Sequence, residues 1–175
     1  MVFMRYLIIL IAFNLSFSSE WIELESEHSG NSYQKRLLSS DNNNISLELI
    51  ISGYYQTEVE TPKGNAYIID AENGASLLKE GAPDLDKITI PIQIPNQANM
   101  GYRITSYEYI DIEDINIAPS KGNLTRDINP DTIPYYYGQE YQQNEFYPNQ
   151  IVEFSLPYIL RDLRGQTLII NPFQY

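Results

Sequence analysis

Cysteine is absent from these 175 residues, and histidine occurs once, at His28. Without cysteine there is no thiol nucleophile and no disulfide framework, and without His/Cys clusters there is no zinc site. A Ser-His-Asp relay would have to use His28, which lies in a polar stretch beside acidic residues. No serine sits in the strained strand-to-helix turn that exposes a nucleophile. No glycine-rich phosphate loop occurs either, and no cofactor is expected. Basic residues are few: 11 Lys and Arg stand against 23 Asp and Glu, a net charge of −12. A phosphate backbone calls for a basic face, so nucleic acid is not an expected partner. Nowhere does a helical period persist for three turns, and no repeat of solenoid length is present.

The one long apolar run is at the start. Arg5 supplies the charged lead, residues 6–15 the apolar stretch, and Ser16 and Ser18 the small residues before a cleavage point after Ser18. This predicts a signal peptide over residues 1–18 and an exported chain, secreted or at the cell surface. The run is too short to span about 30 Å of hydrocarbon, so no membrane span is expected in the mature chain. The mature remainder is one domain in length, enough to bury a core without covalent staples.

The strongest local signal lies in residues 81–95, GAPDLDKITIPIQIP. Ile88, Ile90, Ile92 and Ile94 alternate with Thr89, Pro91 and Gln93, which puts four branched side chains on one face of a strand. Pro91 lacks an N–H and suits an edge strand or a bulge. Similar alternation marks Ile45, Leu47, Leu49 and Ile51, with Tyr55, Thr57 and Val59 as their expected hairpin partner. It also marks residues 152–158, and shorter strands are expected at residues 66–70 and 167–170. Trp21–Glu25 is a candidate first strand, and residues 27–44, rich in Ser and Asn, read as loop. Tyr102, Ile104, Ile110 and Ile112 share one face of a further expected strand. A bulge near Glu113 and Asp114 would return Ile115 and Ile117 to the core. Many short strands separated by turns predict an all-β fold, an antiparallel, jelly-roll-like β-sandwich forming a single domain.

Two groups of residues invite a chemical reading. Asp111, Glu113 and Asp114 form a weak calcium candidate of oxygen ligands, although the Asp-x-Asp-x-Asp-Gly spacing is missing. As a glycosidase pair they would need a defined separation across a cleft, and such acids are common at solvated strand ends. Tyr135, Tyr136, Tyr137, Tyr141 and Tyr147 offer flat amphipathic rings for a contact surface, or for capping the core beneath a loop.

In the C-terminal two-thirds the motifs line up in a familiar order. Gly81, Pro83 and Leu85 precede a strand closed by Pro95. A tyrosine segment comes next with Tyr141, Tyr147 and Pro148, then a turn with Arg161 and Arg164. The end carries Leu168, Ile170, Pro172, Gln174 and Tyr175. Over residues 66–175 this succession resembles the propeptide domain of the gingipain family of secreted cysteine peptidases, with residues 19–65 contributing N-terminal strands and the polar loop. One departure is the turn, where Asp162 follows Arg161 and the glycine comes at Gly165. The family continues beyond the point matching Tyr175 through a last strand into a peptidase, so the resemblance implies a prodomain truncated at its C-terminal end, either a fragment of a longer zymogen or a free-standing propeptide-like domain.

The resemblance implies a β-rich domain that assists folding of a cognate gingipain-like cysteine peptidase, in cis or in trans, and keeps it latent through export. The export machinery would be a second partner. Latency would come from a basic side chain laid into a pocket specific for Arg or Lys, with Arg126 and Lys121, on the long loop over residues 119–134, as the candidates. A loop tip on a rigid scaffold suits that task. The rival expectation is a secreted surface β-sandwich that binds glycan or protein with no peptidase attached.

Overall fold

The computed structural model describes residues 18–24, 31–41 and 43–175. The expected signal peptide lies almost wholly outside these residues, and His28 lies outside them too. Ten strands run in order: β1 (Ser19–Glu23), β2 (Tyr33–Ser40), β3 (Ile45–Ile51), β4 (Gly53–Thr61), β5 (Gly64–Asp70), β6 (Ala75–Ser76), β7 (Asp86–Gln93), β8 (Val152–Phe154), β9 (Tyr158–Leu160) and β10 (Leu163–Ile170). Two short 3₁₀ turns, Pro130–Thr132 and Gln139–Gln142, complete the regular structure. Every pairing between named strands is antiparallel, so the expected all-β, antiparallel class is what the chain adopts.

Residues 86–93 behave as their lettering demands. Ile88 and Ile94 are buried, Ile90 and Ile92 half-buried, and Thr89, Pro91 and Gln93 exposed. β7 pairs along its length with β10, setting Ile88 opposite Ile170 and Ile90 opposite Leu168. β10 in turn sets Ile170 opposite Val152 and Leu168 opposite Phe154 of β8. One face of this five-stranded sheet is therefore a continuous aliphatic surface. On its other side β7 meets β6 only at Asp86 and Lys87, so Pro91 lies on an open edge, where its missing N–H leaves no ladder bond unmade.

A second sheet, β1-β4-β5, contributes to the hydrophobic core. Tyr54 and Ile69 from this sheet meet Leu85 and Ile117, with Ile22, Tyr67, Tyr147 and Phe173 packed around them. Gly53 is glycine because the Trp21 ring lies against it; a Cβ there would stand 2.3 Å from Trp21 Cζ2. The ring also meets Tyr55 edge-on at 5.0 Å.

Four sequence expectations need correcting. Residues 27–44 are not all loop, because β2 occupies Tyr33–Ser40 and pairs with β3 as a two-stranded sheet. Serines and a Lys-Arg pair disguised this strand, whose outer half is solvated on both faces. Tyr55–Val59 is consequently not the partner of β3: β4 lies between β1 and β5. The expected single strand over residues 152–158 breaks at Ser155, whose Oγ accepts from Thr167 N and whose N–H bonds Thr167 O. Finally, residues 101–113 form no strand and are exposed throughout. The chain re-enters the fold after Asp114, which takes the left-handed conformation (φ 59) where a bulge was expected.

Candidate functional site

The long loop that carries Lys121 and Arg126 springs from a tightly stitched base. Ala118 N donates to Tyr67 O, Asp84 N to Ala118 O, Ser120 N to Ala82 O and Gly81 N to Ser120 O. Residues 117–120 are thereby buried between β5 and residues 81–84. Pro119, facing Pro83 across an antiparallel bridge, needs no donor partner there. Beyond this base the loop closes on itself. Ile128 N donates to Thr125 O, and Asn129 Oδ1 accepts from Asp131 N at the start of the Pro130–Thr132 turn.

The two expected plug residues differ in this setting. Lys121 Nζ donates to Pro130 O at 2.8 Å and lies over the Tyr135 ring at 4.3 Å, so its charge is already engaged inside the loop. Arg126 stands exposed in the turn between Thr125 and Asp127 and has no ion-pair partner among the described residues. A third cation escaped the sequence reading because it was assigned to a strand. Arg103 lies in the wholly exposed run 101–113, between the exposed side chains of Tyr102 and Ile104. The available signal was the alternation breaking at Ser106 and Glu108.

The tyrosines are brought together, but mostly face inward. Tyr141 Oη donates to Ile117 O at 3.0 Å, and its ring packs against Tyr137 at 4.8 Å and Tyr175 at 5.2 Å. Burial, followed by the neighbouring Tyr137 and Tyr175, raises its phenol well above the ordinary value. Tyr137 Oη shares a hydrogen bond with Thr61 Oγ1, while Lys63 covers its ring at 4.1 Å. Tyr147 is tied through its backbone to Tyr175, N–H to carbonyl in both directions. Tyr135 is half-buried under Lys121, and Tyr136 is the exposed member of the set. Near them Lys79 pairs with Glu140 and holds that carboxyl below its usual range. Four of the five rings therefore pack within the scaffold, and Tyr136 is the exposed one.

Asp111, Glu113 and Asp114 are exposed in the irregular run, and among the described residues no three His, Cys, Asp or Glu side chains form a metal-holding group. The buried carboxylates lie elsewhere. Asp84 is pushed up to about 6, first by burial and then by the charges of Asp70 and Asp86, while a bond from Ser120 opposes the shift. Asp86 Oδ2 accepts from Ala71 N at 3.0 Å, and burial raises that group as well.

Comparison with known proteins gives this architecture a setting. The Propeptide_C25 family model matches residues 25–175. Gingipain R2 of Porphyromonas gingivalis is 36% identical over 146 residues, covering 83% of this chain and 20% of the relative. Gingipain R1 of the same organism is 36% identical over 141 residues, covering 80% of this chain and 14% of the relative. The chain thus spans a fifth or less of the length of these relatives. Among solved structures, the complex of Porphyromonas gingivalis RgpB pro- and mature domains matches with a TM-score of 0.77 at 36% identity, over 81% of this chain and 75% of that one. A structure describing the zymogenic latency of gingipain K superposes with a TM-score of 0.74 at 18% identity, over 90% of this chain and 88% of that one, a likeness of fold.

Proposed function

The chain belongs to the Propeptide_C25 family, the propeptides of gingipains, and on that premise we propose that it is the N-terminal inhibitory and folding-assisting propeptide of a secreted gingipain-like cysteine endopeptidase. Its likeness to the RgpB pro-domain, a domain solved in complex with its mature partner, supports a peptidase as the partner here. The chain holds no cysteine, so the catalytic thiol of such an enzyme would be supplied by the partner domain. The signal peptide expected over residues 1–18 assigns the pair to export.

The observation that carries an occlusion mechanism is a β scaffold from which exposed, irregular segments project, each bearing at least one basic side chain. Of the three cations, Lys121 is engaged internally and Arg126 has Asp127 beside it to compete with any pocket carboxylate. Arg103 is flanked by Tyr102 and Ile104, whose exposed apolar surface would be buried together with the guanidinium. A charge-assisted bond inside a desolvated apolar surround is the composition of an interface hot spot. Arg103 is therefore placed first as the plug, Arg126 second and Lys121 third.

Inhibition of the mature domain of gingipain R2 by the purified chain tests this reading. Arg103→Ala is expected to raise the inhibition constant about 100-fold, in the range of hot-spot truncations, with Arg126→Ala and Lys121→Ala each changing it by less than about 5-fold. An unchanged constant for Arg103→Ala removes the assignment. Failure of the unsubstituted chain to inhibit removes the function.

A further inference from the structure

Both exposed segments that carry candidate plugs hang from one root. Residues 116–120 join the run 101–113 to the loop that bears Arg126, and they are stitched on both sides. Toward β5, Tyr67 N donates to Asn116 O and Ala118 N to Tyr67 O. Toward the segment before β7, Asp84 N donates to Ala118 O and Ser120 N to Ala82 O. The far end of the loop returns to that same segment, where Gly138 N donates to Gly81 O at 2.8 Å. Whichever of Arg103 and Arg126 enters a cleft, its anchorage runs through residues 116–120 and 81–84.

Beside this root the chain gathers three carboxylates. β5 and the segment before β7 run side by side, with Ile69 N donating to Asp84 O and a parallel bridge between Ile69 and Leu85. Ile69 and Leu85 both enter the hydrophobic core, so their neighbours Asp70, Asp84 and Asp86 fall on the opposite side of this seam. Asp86 Oδ2 accepts from Ala71 N at 3.0 Å, which sets its carboxylate at the end of β5, next to Asp70. Asp84 is faced by Asp70 of β5, Asp86 of β7 and the Ser120 hydroxyl of the root. From residues 135–147 it is faced by the phenols of Tyr135, Tyr141 and Tyr147. The two ion pairs among the described residues, Arg36–Glu48 and Lys79–Glu140, use none of the three acids.

Three carboxylates on one poorly solvated side of a seam repel one another when all are ionised. A proton on Asp84 relieves that repulsion at the residue whose own N–H holds Ala118. Its folded value of about 6 exceeds the ordinary 3.8, so the closed root binds the proton more tightly than an opened one. The stabilisation is present in acid and is lost as pH rises through about 6.

We propose that Asp84 and residues 116–120 form a pH-sensitive latch on latency. With the acid group protonated, the root stays closed and the inhibitory segments stay in place; with it ionised, the root loosens and the grip on the peptidase weakens. This rests on the propeptide reading above and adds regulation to it. Peptidase binding that needs the closed root must in turn raise the proton affinity of Asp84.

The purified chain would be titrated into mature gingipain R2 domain and the dissociation constant read at pH 5 and at pH 7.5. Hydrogen exchange of the Ala118 and Ser120 amides in the isolated chain gives a readout independent of the peptidase. Binding by the parent is expected to weaken between the two pH values at least about 10-fold more than binding by Asp84→Asn, which stays neutral throughout. Comparing the two chains at each pH cancels the peptidase's own titration. Protection of the two root amides, corrected for intrinsic exchange, should fall over this interval in the parent and hold in Asp84→Asn. The amides of the β7–β10 ladder should stay protected in both. Ser120→Ala keeps the carboxyl but removes a bond that favours its ionised form, so its transition should move to higher pH; this variant decides the matter if Asp84→Asn does not fold. If parent and Asp84→Asn weaken alike, or if the root amides keep their protection at both pH values, the latch falls and the propeptide function stands. If the parent binds at neither pH while its root amides still lose protection, the propeptide reading falls and the latch stands as a device of the fold without that target.

Discussion

Residues 87–94 and 102–112 alternate apolar and polar side chains in much the same way, yet the first stretch lies in a sheet and the second belongs to no strand. Both hold isoleucines at every second position for part of their length. They differ in what the rest of the chain provides. β7 finds β10, whose Leu168 and Ile170 complete its aliphatic face, and it is held at its start by β6. Residues 102–112 have no complementary strand among the described residues, and their phase slips between Ile104 and Tyr107. Alternation reports which side chains would share a face if a strand formed. A ladder also needs a partner backbone, and in a prodomain the missing partner can belong to another molecule.

The comparison breaks most visibly if the two stretches respond alike to losing the same atoms. Ile88 is fully buried and packed opposite Ile170. Ile88→Ala should cost about 3 kcal/mol in urea unfolding, combining lost transfer energy with the cavity left behind. A cost below about 1 kcal/mol would mean that the aliphatic face of the β7–β10 sheet is not the structural centre it is taken to be.

Legibility in the sequence divides along the same line. The strand at residues 86–93 was readable because burial on one face leaves a period of two, and the lettering of residues 45–51 carries the same period. β2 was not, since an outward hairpin with little to bury needs no apolar code. The partner of β4 was not, since period fixes facing and not neighbours. Arg103 was hidden by an alternation that was real in the lettering and unused by the fold. The acid group of Asp70, Asp84 and Asp86 was also unreadable, because Asp70 is brought beside the other two only by the pairing of β5 with the segment that precedes β7.

That acid group gives the scaffold a pH response. Asp84 sits on the core side of the Pro83–Pro119 bridge, with its backbone N–H donated to Ala118 O and its carbonyl accepting from Ile69 N. Its folded value of about 6 lies above the ordinary carboxylate value of 3.8, so the folded chain binds the proton more tightly than the unfolded one. The stabilisation is complete below the ordinary value and is lost as pH rises through about 6. Integrated, it amounts to roughly 2–3 kcal/mol at most. The chain should therefore resist urea better at pH 4.5 than at pH 7, and Asp84→Asn should flatten that slope by keeping the site neutral. An equally steep slope in the variant would assign the response to Asp70 and Asp86, both also raised by burial.

The smallest expected effect is the most discriminating one. Ile110 belongs to the alternation that predicted a strand, and its side chain is exposed. Ile110→Ala removes the same atoms as Ile88→Ala, but from solvent, and should move the unfolding free energy of the isolated chain by no more than about 0.5 kcal/mol. If the run serves as the contact surface of a partner, the cost should reappear in the complex, as weaker inhibition of the mature peptidase domain with the isolated chain's stability untouched. A loss above about 1 kcal/mol in the isolated chain would show instead that residues 102–112 pack against the scaffold in solution. The contrast between a face that is filled and a face that waits would then collapse into one continuous core.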